Sequence, residues 1–286
     1  MQQLAWQPYT TVYQTGNGHH VSGQVQIARE VYSPQLDNRR DVLIYLPPAY
    51  AAGHGRFPVL YMHDGQNLFD PATSFAGEWG VDEAMQGLAA SAGLQAIVVA
   101  INNNGPERLN EYSPFVDAHR GGGKGNKYIN FIANTLKPSI DAQFRTRPER
   151  KATGLLGSSM GGLISLYAYF KRPEIFGFAG AMSPSFWYAE GSIFDFVSNA
   201  PFSPGRLYLD VGTREEGGSL LAPHKLMRSR GHYAAVRRMK RILVRKGYHP
   251  TRTLLHVEEK WAGHNEAAWS RRLPQALQFL LGPVAS

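Results

Sequence analysis

The run Ala152-Thr-Gly-Leu-Leu-Gly157-Ser158-Ser159-Met160-Gly161-Gly162-Leu163 reads as a short apolar strand, a tight turn and the start of a helix. Its centre, Gly157-Ser158-Ser159-Met160-Gly161, is a Gly-x-Ser-x-Gly pentapeptide. On a strand-to-helix junction this pattern puts the serine at the apex of a strained turn. The residues two before and two after it lack side chains, so strand and helix can close on each other. Leu163, Leu166, Tyr167 and Phe170 recur at helical spacing, and Arg172-Pro173 stops the helix. Ser159 then lies at a helix N-terminus, where free N–H groups favour a developing negative charge. The pentapeptide alone also describes an inert turn, so the flanking elements and distant residues decide between the two.

Working outward, residues 23–32 and 41–46 look like strands joined by the turn signals Ser33-Pro34 and Asp37-Asn38, a hairpin. Phe57 to His63 is an apolar run leading into Asp64-Gly65-Gln66-Asn67. A helix follows, with Asp82 and Glu83 in its first turn and Val81, Ala84, Met85 and Leu88 on one face. Ala96 to Ile101 is continuously apolar, as in a parallel strand buried on both faces. Residues 102–126 read as a long loop, and 127–144 as a helix kinked at Pro138. Further strands are expected at Phe178–Met182, Arg206–Val211 and 251–257. A basic helix is expected over 231–246, and a closing helix carries Trp269, Leu273, Leu277 and Leu280. Strands alternating with helices predict an α/β fold with a mostly parallel central sheet, helices on both faces and an antiparallel N-terminal edge. No linker or repeat divides residues 1–286, so one domain with an N-terminal extension over 1–22 is expected. Ligands should gather beyond the carboxyl ends of the strands.

The composition narrows the chemistry. The chain has 286 residues and no cysteine, which excludes disulfides, a thiol nucleophile and thiolate metal ligands. The N-terminus lacks signal-peptide character, and no run approaches the ~18 apolar residues of a membrane span. A cytoplasmic protein that meets neither membrane nor nucleic acid is the expectation. The net charge of +8 is concentrated between Arg228 and Lys246. It reads as the solvated face of a helix with Tyr233, Val236 and Leu243 inward; an anion site is the alternative, and the interleaved aromatics of a single-strand binder are missing. No metal or cofactor is expected. His19-His20 is a lone pair, and Gly121-Gly-Gly-Lys-Gly-Asn126 fails the P-loop pattern and reads as a mobile rim loop.

A serine hydroxyl needs a base, and the base an acidic partner. Of ten histidines, His264 fits best, following the last strand beside Gly263. His63 precedes the serine and is expected to support rather than react. Glu215, in the loop after the 206–211 strand, is the preferred acid, with Glu216 and Asp210 as alternatives. The oxyanion would take the N–H of Met160 and one from the loop after Met62-His63, best Gln66. Phe186 and Trp187 are candidates for the substrate pocket, with packing under a loop as the alternative; Asn67 is a further candidate for substrate contact.

The chain resembles the esterase D and enterochelin esterase-like group of α/β-hydrolases over roughly residues 25–282. The resemblance rests on Arg40-Asp-Val-Leu-Ile-Tyr-Leu-Pro47, Leu60-Tyr-Met-His-Asp-Gly-Gln-Asn-Leu-Phe69 and Arg108-Leu-Asn-Glu-Tyr-Ser-Pro114. It also rests on the serine motif, Tyr208-Leu-Asp-Val-Gly-Thr-Arg-Glu215 and Gly263-His-Asn-Glu-Ala-Ala-Trp269. It implies metal-free serine carboxylester hydrolysis of a small-molecule substrate. Nucleophile, acid and base fall on Ser159, Glu215 and His264, and the oxyanion donors on Gln66 and Met160. An acyltransferase using the same serine, or a siderophore, aryl or carbohydrate ester esterase, is the alternative.

Overall fold

The computed structural model describes residues 2–13, 18–217 and 222–283. A nine-stranded sheet runs through it: β1 (Trp6–Pro8), β2 (Gln24–Ser33), β3 (Asn38–Leu46), β4 (Val59–His63), β5 (Ile97–Ile101), β6 (Thr153–Ser158), β7 (Phe178–Met182), β8 (Arg206–Gly212) and β9 (Leu254–Glu259). The spatial order is β1-β2-β3-β5-β4-β6-β7-β8-β9. The first three strands are antiparallel to their neighbours, and the other six run parallel. This is the expected α/β sheet with an antiparallel N-terminal edge. The strand order reverses at β4, whose neighbours are β5 and β6, so a crevice opens at the carboxyl ends of β4 and β6.

Successive strand residues face opposite sides and fill two cores. Tyr61, Val99, Leu155 and Leu209 pack on one face with Leu163, Ile164 and Val236; Leu60, Met62, Leu156 and Tyr208 pack on the other with Met85, Trp269 and Leu273. The helices over the second face are α1 (Val81–Ala92) and, at the chain's end, Glu266–Leu281. The helix after Ser159, Met160–Lys171, is buried along nearly its whole length, which is why its apolar residues extend beyond one stripe.

Several expectations change. The N-terminal extension is not a free tail: β1 pairs with β2, and Tyr9 and His19 both hydrogen bond the buried Asp70. Residues 1 and 14–17 of that stretch lie outside the described residues. The helix is continuous over residues 125–143, and its irregularity at Pro138 takes the form of a π-helical turn, Ile132–Leu136, directly before the proline. The backbone stays helical through Leu136 and Lys137, so the proline is interior, and the wider turn takes up its missing N–H and the clash of its ring with the preceding turn. The basic helix begins at Pro223, earlier than expected, running through Gly231. The last strand starts at Leu254, because the His249 carbonyl accepts from Arg252, Thr253 and Leu254 and holds the preceding residues in a turn.

The 102–126 segment is built rather than loose. A helical turn, Arg108–Glu111, is fixed by Arg108 on Asp64 and by the buried pair Arg40–Glu111. Val116–Asp117 pairs with Gly121–Gly122. The glycine run is therefore a tight turn and not a mobile rim loop: Gly121, Gly122 and Gly123 all have positive φ, and a Cβ on Gly122 would sit 2.1 Å from the Phe115 carbonyl oxygen. Among the described residues, no helix is long and apolar enough to cross a membrane.

Candidate active site

Ser159 follows directly on β6 with φ 55° and ψ −121°, a conformation that L residues avoid. Three hydrogen bonds hold it there. Its N–H donates to the Met182 carbonyl at 2.9 Å, and its carbonyl accepts from Leu163 at 3.1 Å and Ser185 at 3.0 Å. Gly157 permits the turn, since a Cβ there would lie 2.7 Å from the His63 ring and 2.8 Å from the Gly161 carbonyl carbon. His63 lies beneath as packing, not at the surface of the cavity. Ser165 Oγ donates to the Gly161 carbonyl, so it accepts from His63 Nε2–H at 3.0 Å; Nδ1 then accepts from the Tyr128 hydroxyl at 2.8 Å. Burial lowers the His63 pKa to about 4, keeping the ring neutral.

On the other side of the serine, the β8–β9 pairing continues past both strands. Thr213 N–H donates to the Glu259 carbonyl, Arg214 to Ala262, and His264 to Glu215, each at 3.0 Å. This ladder sets the Glu215 and His264 side chains together, with His264 Nδ1 2.6 Å from Glu215 Oε2. Glu215 is buried, and its Oε1 accepts from the Ser183 hydroxyl at 2.6 Å and from the Gly212 N–H. Burial raises this carboxyl's pKa, but the His264 hydrogen bond, the fields of His232 and His264 and the Ser183 hydroxyl outweigh it and hold it below the usual range. An ionised partner fixes the proton on Nδ1 and leaves Nε2 as the ring's basic nitrogen. The alternative acids are placed elsewhere. Asp210 faces Arg272 at 2.9 Å and the Tyr208 hydroxyl at 3.0 Å, while Glu216 is exposed.

His232 is a neighbour that sequence reading passed over. Its ring centroid lies 5.4 Å from that of His264, and its Nε2 donates to the Pro184 carbonyl at 2.9 Å. Only the fold reveals it, because in sequence it is one histidine among the cations of a basic helix.

Ser159 and His264 line one cavity of about 940 Å³. The Ser159 hydroxyl is hydrogen bonded to Ser185 Oγ at 3.1 Å, and no hydrogen bond joins it to His264 among the described residues. Gln66 and Asn67 line the same cavity, on the 3-10 turn Gly65–Asn67 after β4. Gln66 N–H near the start of that turn and Met160 N–H at the start of its helix have no partner within their helices. Trp79, Trp269 and Phe75 form an aromatic wall, the two tryptophan centroids 5.5 Å apart. Asn102, Asn103 and Arg108 form a polar one.

Phe186 and Trp187 do not line it. Phe186 is fully buried against Phe194, and Trp187 is 42% exposed with Arg120 above its ring. The expectation of a pocket role for them is corrected: Phe186 gains more by complete burial than by lining a wet cleft, and Trp187 lies at the surface beneath the Arg120 guanidinium. The wall comes instead from Phe75 and Trp79 in the 73–79 segment, whose lack of periodicity gave no sequence signal, and from Trp269 on the closing helix.

A family model described as putative esterase matches residues 33–280. The Bacillus subtilis protein YbbA, itself described as uncharacterized, is 29% identical over 251 residues, covering 86% of this chain and 93% of its own. The siderophore triacetylfusarinine C esterase of Aspergillus fumigatus is 32% identical over 145 residues, 48% of this chain and 47% of that protein. Among solved structures, the siderophore hydrolase EstB from Aspergillus nidulans superposes with a TM-score of 0.72 at 17% identity, covering 92% of this chain and 97% of that one. That likeness establishes the shared α/β-hydrolase-type fold.

Proposed function

Because the chain belongs to the putative esterase family and is thus an ester hydrolase, we propose that it works through an acyl-enzyme on Ser159. The observation that carries this reading is the buried Glu215 holding His264, which lines the same cavity as the strained serine. Ser159 Oγ leaves Ser185, passes its proton to His264 Nε2 and bonds to the ester carbonyl carbon. The carbonyl oxygen becomes an anion held by the N–H groups of Met160 and Gln66, each such donor being worth ~10² to 10³ in rate. His264 returns the proton to the departing alkoxide, and water, activated by the same imidazole, releases the acid. Glu215 keeps the imidazole in its reactive tautomer and stabilises its charged form.

The substrate we propose is an ester bearing an aryl group. Phe75, Trp79 and Trp269 line the cavity with aromatic rings, Phe75 exposed and the two tryptophans largely buried, and Asn102, Asn103 and Arg108 line it with polar groups. A relative named as an endo-1,4-beta-xylanase/feruloyl esterase and a ferulic acid esterase of the same fold support this choice. Ser159→Ala is expected to lower hydrolysis of an aryl ester by ~10⁴-fold or more without loss of fold. Fluorophosphonate labelling followed by peptide mapping checks it; modification of a different serine refutes the assignment. Product analysis with added alcohols separates hydrolysis from acyl transfer.

A further inference from the structure

Near the aromatic wall, a second group of side chains has bonding capacity that the protein does not fill. Glu78, Asp82 and Glu83 each present a carboxylate oxygen, and the three oxygens lie within 4.8 Å of one another. Asp82 is fully buried, yet its Oδ1 has no partner; Glu78 Oε1 is likewise buried and unpartnered. The surroundings supply little. Ser22 donates its N–H to Asp82 Oδ2 and its hydroxyl to Glu83 Oε1 at 2.8 Å, and His20 Nδ1 stands 3.7 Å from Glu83 Oε1.

Asp82 and Glu83 occupy the first turn of α1, whose dipole amounts to about half a positive charge at that end. Three carboxylates exceed it several-fold. A buried carboxylate oxygen facing other carboxylates calls for a cation or a shared proton. The donor set is oxygen only, with a serine hydroxyl in reach and no sulfur, which suits a hard divalent cation better than zinc or copper.

We propose that Glu78, Asp82 and Glu83, with Ser22 beside them, bind a calcium-like divalent cation that ties residues 18–22 to the Trp79 wall of the cavity. Glu78 immediately precedes Trp79, and Ser22 leads into β2, so one ion would brace both. The site is independent of the ester chemistry at Ser159.

The experiment uses the full chain after chelator treatment. Terbium is titrated in, and its tryptophan-sensitised luminescence is followed, Trp79 being next to the site. A saturable signal, displaced by calcium, is expected. Calcium alone should raise Tm by about 5 °C at saturation. Asp82→Asn should weaken binding at least tenfold and remove the rise in Tm. Because Asp82 is buried, the exposed Glu83→Gln serves as the second variant and should weaken binding several-fold. The proposal is overturned by an unsaturable signal, by one unchanged in both variants, or by a Tm that ignores millimolar calcium and follows only pH, which would mean a shared proton.

Discussion

Glu215 and Asp82 are both buried carboxylates, and their surroundings treat them in opposite ways. Every oxygen of Glu215 is used: Oε1 by Ser183 and Gly212, Oε2 by His264. Asp82 uses one oxygen, leaves the other without a partner, and has a carboxylate oxygen within 4.8 Å of two further acids. Donors stabilise the charge on Glu215, whereas Asp82 sits where a proton or an ion has to come from solvent. Burial alone therefore says little about what a carboxylate does; the count of donors around it decides.

The largest expected effect strikes the filled site. Glu215→Gln keeps the shape but presents an amide N–H to His264 Nδ1, forcing the wrong tautomer. Turnover should fall by ~10⁴-fold with KM little changed, as read by steady-state kinetics. A loss below tenfold would mean that the pairing is structural.

Next comes acid destabilisation. The His63 side chain takes a proton near 6.5 in the unfolded chain but only near 4 in the fold. The unfolded state therefore binds more protons between those values, and stability falls as pH drops through that window, by up to about 3 kcal/mol from this residue. The Glu215 contribution has the usual carboxylate sign. It is present above the ordinary carboxylate pKa and is lost as pH falls through its depressed folded value. Tm of the Ser159→Ala protein against pH checks both; a flat profile from pH 6.5 to 4 contradicts the His63 assignment.

A smaller effect is expected on the wall between the two carboxylate sites. Phe75 is 92% exposed and lines the cavity. Phe75→Ala should raise KM for an aryl ester by about two- to tenfold, the worth of one aromatic contact, and leave an acetyl ester unaffected. The smallest concerns the unfilled site. In chelated buffer near pH 10, above the value of about 9 to which burial and the neighbouring Glu83 push the Asp82 carboxyl, Asp82→Asn removes one of three like charges and should raise Tm by about 1–2 °C, on the order of 0.5 kcal/mol, where Glu215→Gln lowers it. Opposite signs at two buried acids sharpen the contrast; equal signs break it.

Much of the scaffold was legible because its strands are extreme. Ala96–Ile101 and Phe178–Met182 are apolar without interruption, and the observed strands fall within a residue of them. The positions of Ser159, Glu215 and His264 followed from strand ends and chain order. What stayed hidden depends on packing between distant segments. The Asp64–Arg108 clamp joins residues 44 apart; both stand in the motifs that carry the resemblance, but nothing local says that they pair. His232 sits among cations, and the 73–79 wall has no period to detect. Phe186 and Trp187 misled because an aromatic cluster announces burial or contact without saying which.

The ladder that carries Glu215 and His264 beyond the sheet has a further consequence. Two adjacent rungs fix both residues, so an insertion between strand end and side chain would pull them apart. Substitutions meant to change the cavity are therefore better placed in other segments, 71–77 and 103–107 among them, which leave Asp70 and the Arg108–Asp64 clamp in place. New ester preferences can be grafted there while the proton-handling pair stays untouched, which makes those two stretches the natural place to begin redesign.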